Sequence, residues 1–220
     1  MTHPIWPFFD LRVRTPRVEL RYVDDTLAVE LARLAVGGIH NPDFMPFRRP
    51  WSVAESPELE LSIMRRYWRG RATLAPSKWE LPMAVISKGR VVGITALKTE
   101  DFPVVREFET GSWLGREFQG AGLGREMREA SLHLGFAGLG ADFATTAAWH
   151  DNGPSLGVTR RLGYTDIGPR RMDRMGDAAE MIGFRLPRAG WDLRLRRDDI
   201  VIEGLEPCLP LLGIAGSAYS

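Results

Sequence analysis

The chain has 220 residues, 44% hydrophobic and 26% charged, with a net charge of +1, the make-up of one globular domain with a full core. That balance leaves no global charge for holding nucleic acid or an anionic membrane, and no apolar run reaches the length of a membrane span, so neither partner is expected. Cys208 is the single cysteine, which excludes an internal disulfide; with a start (Met1 to Pro7) that lacks a signal-peptide pattern, the expected home is the cytoplasm.

Residues 1–14 are aromatic and proline-rich without clear periodicity. Thr15 to Arg21 alternates like a strand. Asp24 or Asp25 caps a helix to about Gly37, with Leu27, Leu31, Leu34 and Ala35 on one face. His40 to Trp51 holds too much proline for regular structure; with its Phe and Met content it either folds under as a lid over the core or lines a substrate entrance. A second helix is expected over about 56–72, with Ser56 as N-cap and Pro57 in its first turn. Strands at 81–87 and 91–97 flank a Lys88-Gly89-Arg90 turn, and a third runs from about Val105 to Leu114. A helix over about 122–138 carries one apolar stripe (Leu123, Met127, Ala130, Leu134) and a second opposite it (Leu132, Phe136, Leu139). That helix should therefore be covered on two sides, by the sheet and by another element or a partner chain, which leaves a homo-oligomer open. A strand at 142–149, a short helix at 152–162 with Gly163 as its stop, strands at 164–168 and 181–186, and an extra strand near Ile200 complete the reading.

The chemistry is concentrated between Glu109 and Gly124. A strand there runs into Gln119-Gly120-Ala121-Gly122-Leu123-Gly124, which opens the central helix. Backbone N–H groups at a helix start are unpaired, and the helix dipole adds partial positive charge, so this turn fits a phosphate. The dinucleotide fingerprint fails because Arg125 stands where its third glycine belongs, and the nucleotide-triphosphate loop fails for want of a lysine. The remaining Gln/Arg-x-x-Gly-x-Gly/Ala pattern resembles the pyrophosphate loop of the GNAT (GCN5-related) N-acyltransferase superfamily.

Three further segments carry the same resemblance. Thr15-Pro16-Arg17-Val18-Glu19-Leu20-Arg21 is similar to the opening of the branch containing the ribosomal-protein alanine N-acetyltransferases. Glu109-Thr110-Gly111-Ser112-Trp113-Leu114 resembles its central strand, although Thr110-Gly111-Ser112 is less bulky. Asn152 to Ser155 with Leu162-Gly163-Tyr164 resembles its final motif. The resemblance implies an α+β single domain of GNAT fold, a mixed central sheet flanked by helices, over residues 15–190. Residues 1–14 are then an N-terminal segment and 191–220 a C-terminal extension. It also implies an acyl-CoA-dependent N-acyltransferase, with acetyl-CoA, or succinyl-CoA as the alternative, as donor and an amine-bearing acceptor (a protein N-terminus, a lysine or a small molecule). A coenzyme A-binding module without catalysis is the alternative of another class.

Transfer of an acyl group to an amine needs an anchored donor, a neutral amine, a polarised carbonyl and a tolerated thiolate. The N–H groups of residues 120–125 would anchor a diphosphate, with Arg125 and Arg116 as possible charge partners. Gln119, Gly120, Ala121, Gly122, Leu123, Gly124 and Arg125 are thus the donor-binding candidates, and Asn152 is a candidate for the pantetheine or ADP portion. Glu109, Gly111 and Trp113 share a strand face, and the resemblance supports Glu109 as the base; the alternative is a surface strand carboxylate, with Glu107, on the same face, the lesser candidate for the base. Splaying near Gly111 and Gly115 would free N–H groups at Trp113 and Leu114 for the thioester carbonyl. Ser155 either caps its helix or, as the resemblance implies, protonates the departing sulfur. Phe44, Met45, Phe47, Arg48, Arg49 and Trp51 are the acceptor-side candidates, and the Arg48-Arg49 pair could meet a succinyl carboxylate. Arg128 is read as a solvated helix position and His133 as exposed; Arg160 and Arg161 either face solvent as a pair or reach the donor's 3′-phosphate. His150 is open as ligand, base or turn residue. With His3, His40, His133 and His150 scattered, no metal is expected.

Overall fold

A computed structural model describes residues 3–215. It contains a mixed nine-stranded sheet in the order β7-β8-β6-β5-β4-β3-β2-β1-β9. The strands are β1 (Arg12–Arg14), β2 (Glu19–Tyr22), β3 (Lys78–Ser87), β4 (Arg90–Glu100), β5 (Glu107–Leu114), β6 (Phe143–Trp149), β7 (Thr165–Arg174), β8 (Asp177–Pro187) and β9 (Val201–Glu203). Every neighbouring pair is antiparallel except β5–β6. The helices are α1 (Asp25–Val36), α2 (Glu58–Ala72), the one-turn α3 (Phe102–Val105), α4 (Leu123–His133), α5 (Gly153–Arg161) and α6 (Arg188–Arg194).

The two sheet faces bury separate clusters. Leu27, Leu31 and Ala35 of α1 and Leu59, Ile63 and Tyr67 of α2 pack with Ala84 and Ile94 on one face. Met127, Ala130 and Leu134 join Phe108, Leu114 and the strand interiors on the other. Asp24 caps α1 by accepting from the Leu27 N–H at 2.7 Å, which fixes how that helix leaves β2. Ser56 does not cap α2: Pro57 holds that position, and the Ser56 hydroxyl donates to Glu60 at 2.8 Å.

The expected first strand, Thr15 to Arg21, is a strand only in its second half. Thr15 closes a turn by donating its N–H to the Val18 carbonyl at 2.9 Å, and β2 then pairs back on β1, which lies before the alternating segment. Residues 7–14 are built into the same core. A 3-10 turn at Pro7–Asp10 and β1 place Phe8, Leu11 and Val13 in the core at 0% exposure. The hairpin at 165–187 is longer than its alternation implied, because its outer half faces solvent on both sides and so carries no period-two pattern.

The second cover of α4 is the chain's own C-terminal segment. Trp191 stacks on Phe136 at 5.2 Å, Arg188 donates to the Phe136 carbonyl at 2.6 Å, and β9 pairs with β1. The strand expected near Ile200 is thus real, and residues 216–220 of the predicted extension lie outside the described residues. This cover also corrects the helix surface. Glu126, Arg128 and Glu129 are all buried, because each finds a partner from outside α4. His133 is half-buried edge-on to Trp191 at 5.6 Å, and burial, with Arg196 and Arg197 nearby, pushes its pKa down.

Cys208 sits at 0% exposure, its thiol donating to the Gly204 carbonyl at 3.3 Å, and burial pushes its pKa up to about 12. Thiolate is the reactive form, so the folded protein should resist Ellman's reagent at neutral pH and react with one thiol equivalent in denaturant. Prompt stoichiometric labelling of the native protein would overturn the placement of this thiol.

Candidate active site

The parallel ladder between β5 and β6 is short. It pairs Glu107 with Phe143, Phe108 with Ala144 and Glu109 with Thr145, then stops. β5 remains paired with β4 through Leu114, and β6 with β8 through Trp149, so the two strands fork while each stays in the sheet. Two buried threonines sit in the crotch. The Thr146 hydroxyl donates to the Thr110 carbonyl at 3.0 Å, and the Thr110 hydroxyl to the Thr145 carbonyl at 3.4 Å. Side-chain hydroxyls thus take over where the backbone ladder ends.

Beyond the crotch the sheet is open. Gly111, Ser112 and Ala147 are exposed although they lie mid-sheet, and a Cβ at Gly111 would meet no atom within 4 Å. The expected splaying at Gly111 is therefore present, and it leaves the β6-facing edge of β5 from Thr110 onward without a strand partner among the described residues.

The glycine turn lies just past the end of β5. Gly120 and Gly122 have φ of 76° and 78°, conformations that favour glycine. None of the N–H groups of residues 120–125 donates a hydrogen bond to another described residue, and no side chain caps α4. The first N–H groups of a helix have no intrahelical partner, and here Gly120, Gly122 and Gly124 leave them uncovered by side chains, an arrangement that takes an anion. Gln119 contributes differently from its expected role. Its side-chain amide donates to the Ile39 and Leu114 carbonyls, both at 2.9 Å, and its N–H to the Arg116 carbonyl, so it braces the turn. Arg125 bonds Glu129 at 2.8 Å, while Arg116 is exposed.

Glu109 faces the α1/α2 side with Glu107, Gly111 and Trp113. It lines a cleft of about 620 Å³ beside the C-terminal end of α2 and pairs with Lys98 at 2.9 Å. Glu107 is held by Arg185 at 2.8 Å. On α5 the roles of cap and hydroxyl separate. The Asn152 side chain accepts from the Ser155 N–H at 3.2 Å, whereas the Ser155 hydroxyl makes no hydrogen bond to a described residue. The cap is Asn152, and Ser155 keeps a free hydroxyl at the helix start. His150 is exposed at the end of β6, its N–H bonded to the Glu180 carbonyl, which is the position of a turn residue.

The loop at 40–51 bridges the two splayed strand ends. Trp51 packs on Trp113 of β5 at 6.0 Å, and Phe47 on Trp51 at 5.1 Å. At the other end Arg174 donates to the Met45 carbonyl at 2.7 Å, stacks on Phe44 and on Trp149 of β6, and pairs with Asp151 at 2.8 Å. Met45 is buried, whereas Arg48 and Arg49 are exposed and have no ion-pair partner among the described residues. The loop thus covers the fork. Arg174, Thr110 and Thr146 escaped the sequence reading because only the fork gives them a place. Arg128 was misread: it reaches Thr159 of α5 at 2.8 Å and lies over the Tyr164 ring, so it is interhelical rather than solvated. Among the described residues no cluster of side chains could hold a metal ion, and no helix is long and apolar enough to cross a membrane.

Comparison with known proteins gives the same picture. The family described as "Acetyltransferase (GNAT) domain" matches residues 17–165. A GCN5-related N-acetyltransferase from Brucella melitensis superposes with a TM-score of 0.65 at 21% identity, covering 82% of this chain and 80% of that one. A GNAT-family acetyltransferase from Bacillus anthracis gives 0.65 at 13% identity, covering 81% and 99%. RimL, a ribosomal L7/L12 alpha-N-protein acetyltransferase solved in complex with coenzyme A, gives 0.63 at 18% identity, covering 79% and 95%. At these identities the structural likeness is one of fold.

Proposed function

This chain belongs to the GNAT acetyltransferase family, and from that premise we propose that it moves an acetyl group from acetyl-CoA to a primary amine, by direct attack in a ternary complex. The observation that carries the reading is the unpaired N–H run of residues 120–125 beside an open strand fork. The first fits a diphosphate, and the second gives an extended thioester arm a slot that reaches both sheet faces. In this reading the free edge of β5 supplies the Leu114 N–H to the thioester carbonyl, whereas Trp113, opposite Ile94, turns its N–H to β4. Glu109, on the acceptor side, takes a proton from the ammonium, directly or through water. The amine nitrogen bonds to the carbonyl carbon, the carbon–sulfur bond breaks, and the nitrogen's second proton reaches the departing sulfur through the Ser155 hydroxyl, which gives its own proton to sulfur and takes that one in its place.

RimL, a ribosomal L7/L12 alpha-N-protein acetyltransferase, makes a protein N-terminus the first acceptor class to try. A second reading of the donor rests on Arg48 and Arg49, free cations on the loop that covers the fork; a succinyl carboxylate would suit them. Thiol release should be followed with acetyl-CoA and succinyl-CoA against N-terminal peptides, lysine peptides and small amines. Amine-dependent release from acetyl-CoA is the expected result. Coenzyme A binding without release for any amine would favour a binding module, and no binding at all would overturn the whole reading.

A further inference from the structure

We propose that Arg17 binds the donor's diphosphate, so that the anion site is completed by the β1–β2 turn as well as by the glycine loop. The proposal rests on the donor reading above. Arg17 is held in place from three directions. The buried Glu126 carboxylate, in the first turn of α4, accepts from the Thr15 hydroxyl at 2.7 Å and from the Arg17 N–H at 3.0 Å, and pairs with Arg17 Nε at 3.4 Å. Ser87 donates to the Arg17 carbonyl at 2.9 Å. The backbone of Arg17 is therefore fixed between the sheet and the helix start.

The side chain then runs along the glycine loop. One terminal nitrogen donates to the Ala121 carbonyl at 2.7 Å, and the other lies 3.5 Å from where a Cβ on Gly122 would stand. That second nitrogen has no acceptor among the described residues, and the side chain is 50% exposed. The guanidinium fork is thus divided, one branch spent on the loop and the other without an acceptor beside Gly122. An arginine anchored this way loses little freedom on binding and meets a phosphate oxygen with a charge-assisted bond. It also offsets the Glu126 carboxylate, which would otherwise repel an anion one helical turn away.

The test is calorimetric titration of wild type, Arg17→Gln and Arg17→Lys with coenzyme A and with pantetheine, which lacks the diphosphate. Arg17→Gln should weaken coenzyme A about tenfold or more and leave pantetheine within about twofold; the ligand-free melting temperature should fall as well, because Glu126 loses its cation, so the comparison of the two ligands is the deciding readout. Arg17→Lys keeps the charge but not the divided fork and should recover only part of the loss. An equal loss for both ligands would make Arg17 a structural brace and overturn the proposal, as would no loss at all. Failure of the wild type to bind coenzyme A would overturn the proposal together with the donor reading, and is recognised without any variant.

Discussion

Glu109→Gln should lower kcat for acetyl transfer at neutral pH by about 10²- to 10⁴-fold, the range of a positioned general base, while coenzyme A affinity stays within about twofold. Gln fills the same space and keeps a hydrogen-bonding oxygen, so the loss isolates proton uptake. Lys98, which pairs with Glu109, is half exposed, and such a surface pair contributes only about 0–1 kcal/mol, so the pair itself cannot account for a loss of that size. The pH profile separates a base from a brace. A base matters only while the amine arrives as an ammonium, so the defect should shrink as pH approaches the acceptor's pKa, about 8 for an α-amino group and about 10.4 for lysine. The pH at which the variant catches up thus also reports which acceptor class is in use. A deficit that stays constant to high pH, or one below about tenfold at pH 7, would remove Glu109 from the proton path.

Much of this site was legible because its signals are local. A strand, a glycine turn and an amphipathic helix within Glu109 to Leu134 needed no distant contact to be recognised. Gly111 could be read as a point of splaying because a side-chain-free residue in mid-strand leaves room, and the room is there. What stayed hidden depends on partners far along the chain. Arg128 stands among charged neighbours and looked solvated; Thr159 and Tyr164, more than thirty residues on, make it interior. Gln119 looked like a ligand residue because the family motif includes it, yet its amide is committed to Ile39 and Leu114. Arg17 lies within the strand motif Thr15 to Arg21, but alternation cannot show that this motif breaks into a turn facing the glycine loop. Burial of the Glu126 carboxylate explains that turn, and its partners Thr15 and Arg17 are more than a hundred positions away.

Gly122→Asp should weaken coenzyme A by about a hundredfold or more without unfolding the protein. Two effects of different origin meet at this position. The backbone has φ 78°, where a side chain other than glycine's costs about 1–2 kcal/mol, less for Asp and Asn because they adopt this conformation more readily. The new carboxylate would also stand among the free N–H groups of residues 120–125 and close to Arg17, whose nitrogen lies 3.5 Å from the added Cβ position. It would occupy the anion site from within, so the pairing that offsets the backbone strain is the same pairing that excludes the ligand. Gly122→Ala separates the two effects: it keeps the strain, adds no charge, and should lower the melting temperature more than Gly122→Asp while costing only a few-fold in affinity. If Gly122→Asp binds coenzyme A as tightly as wild type, the diphosphate does not lie on this helix start, and the assignment of the donor site fails with it.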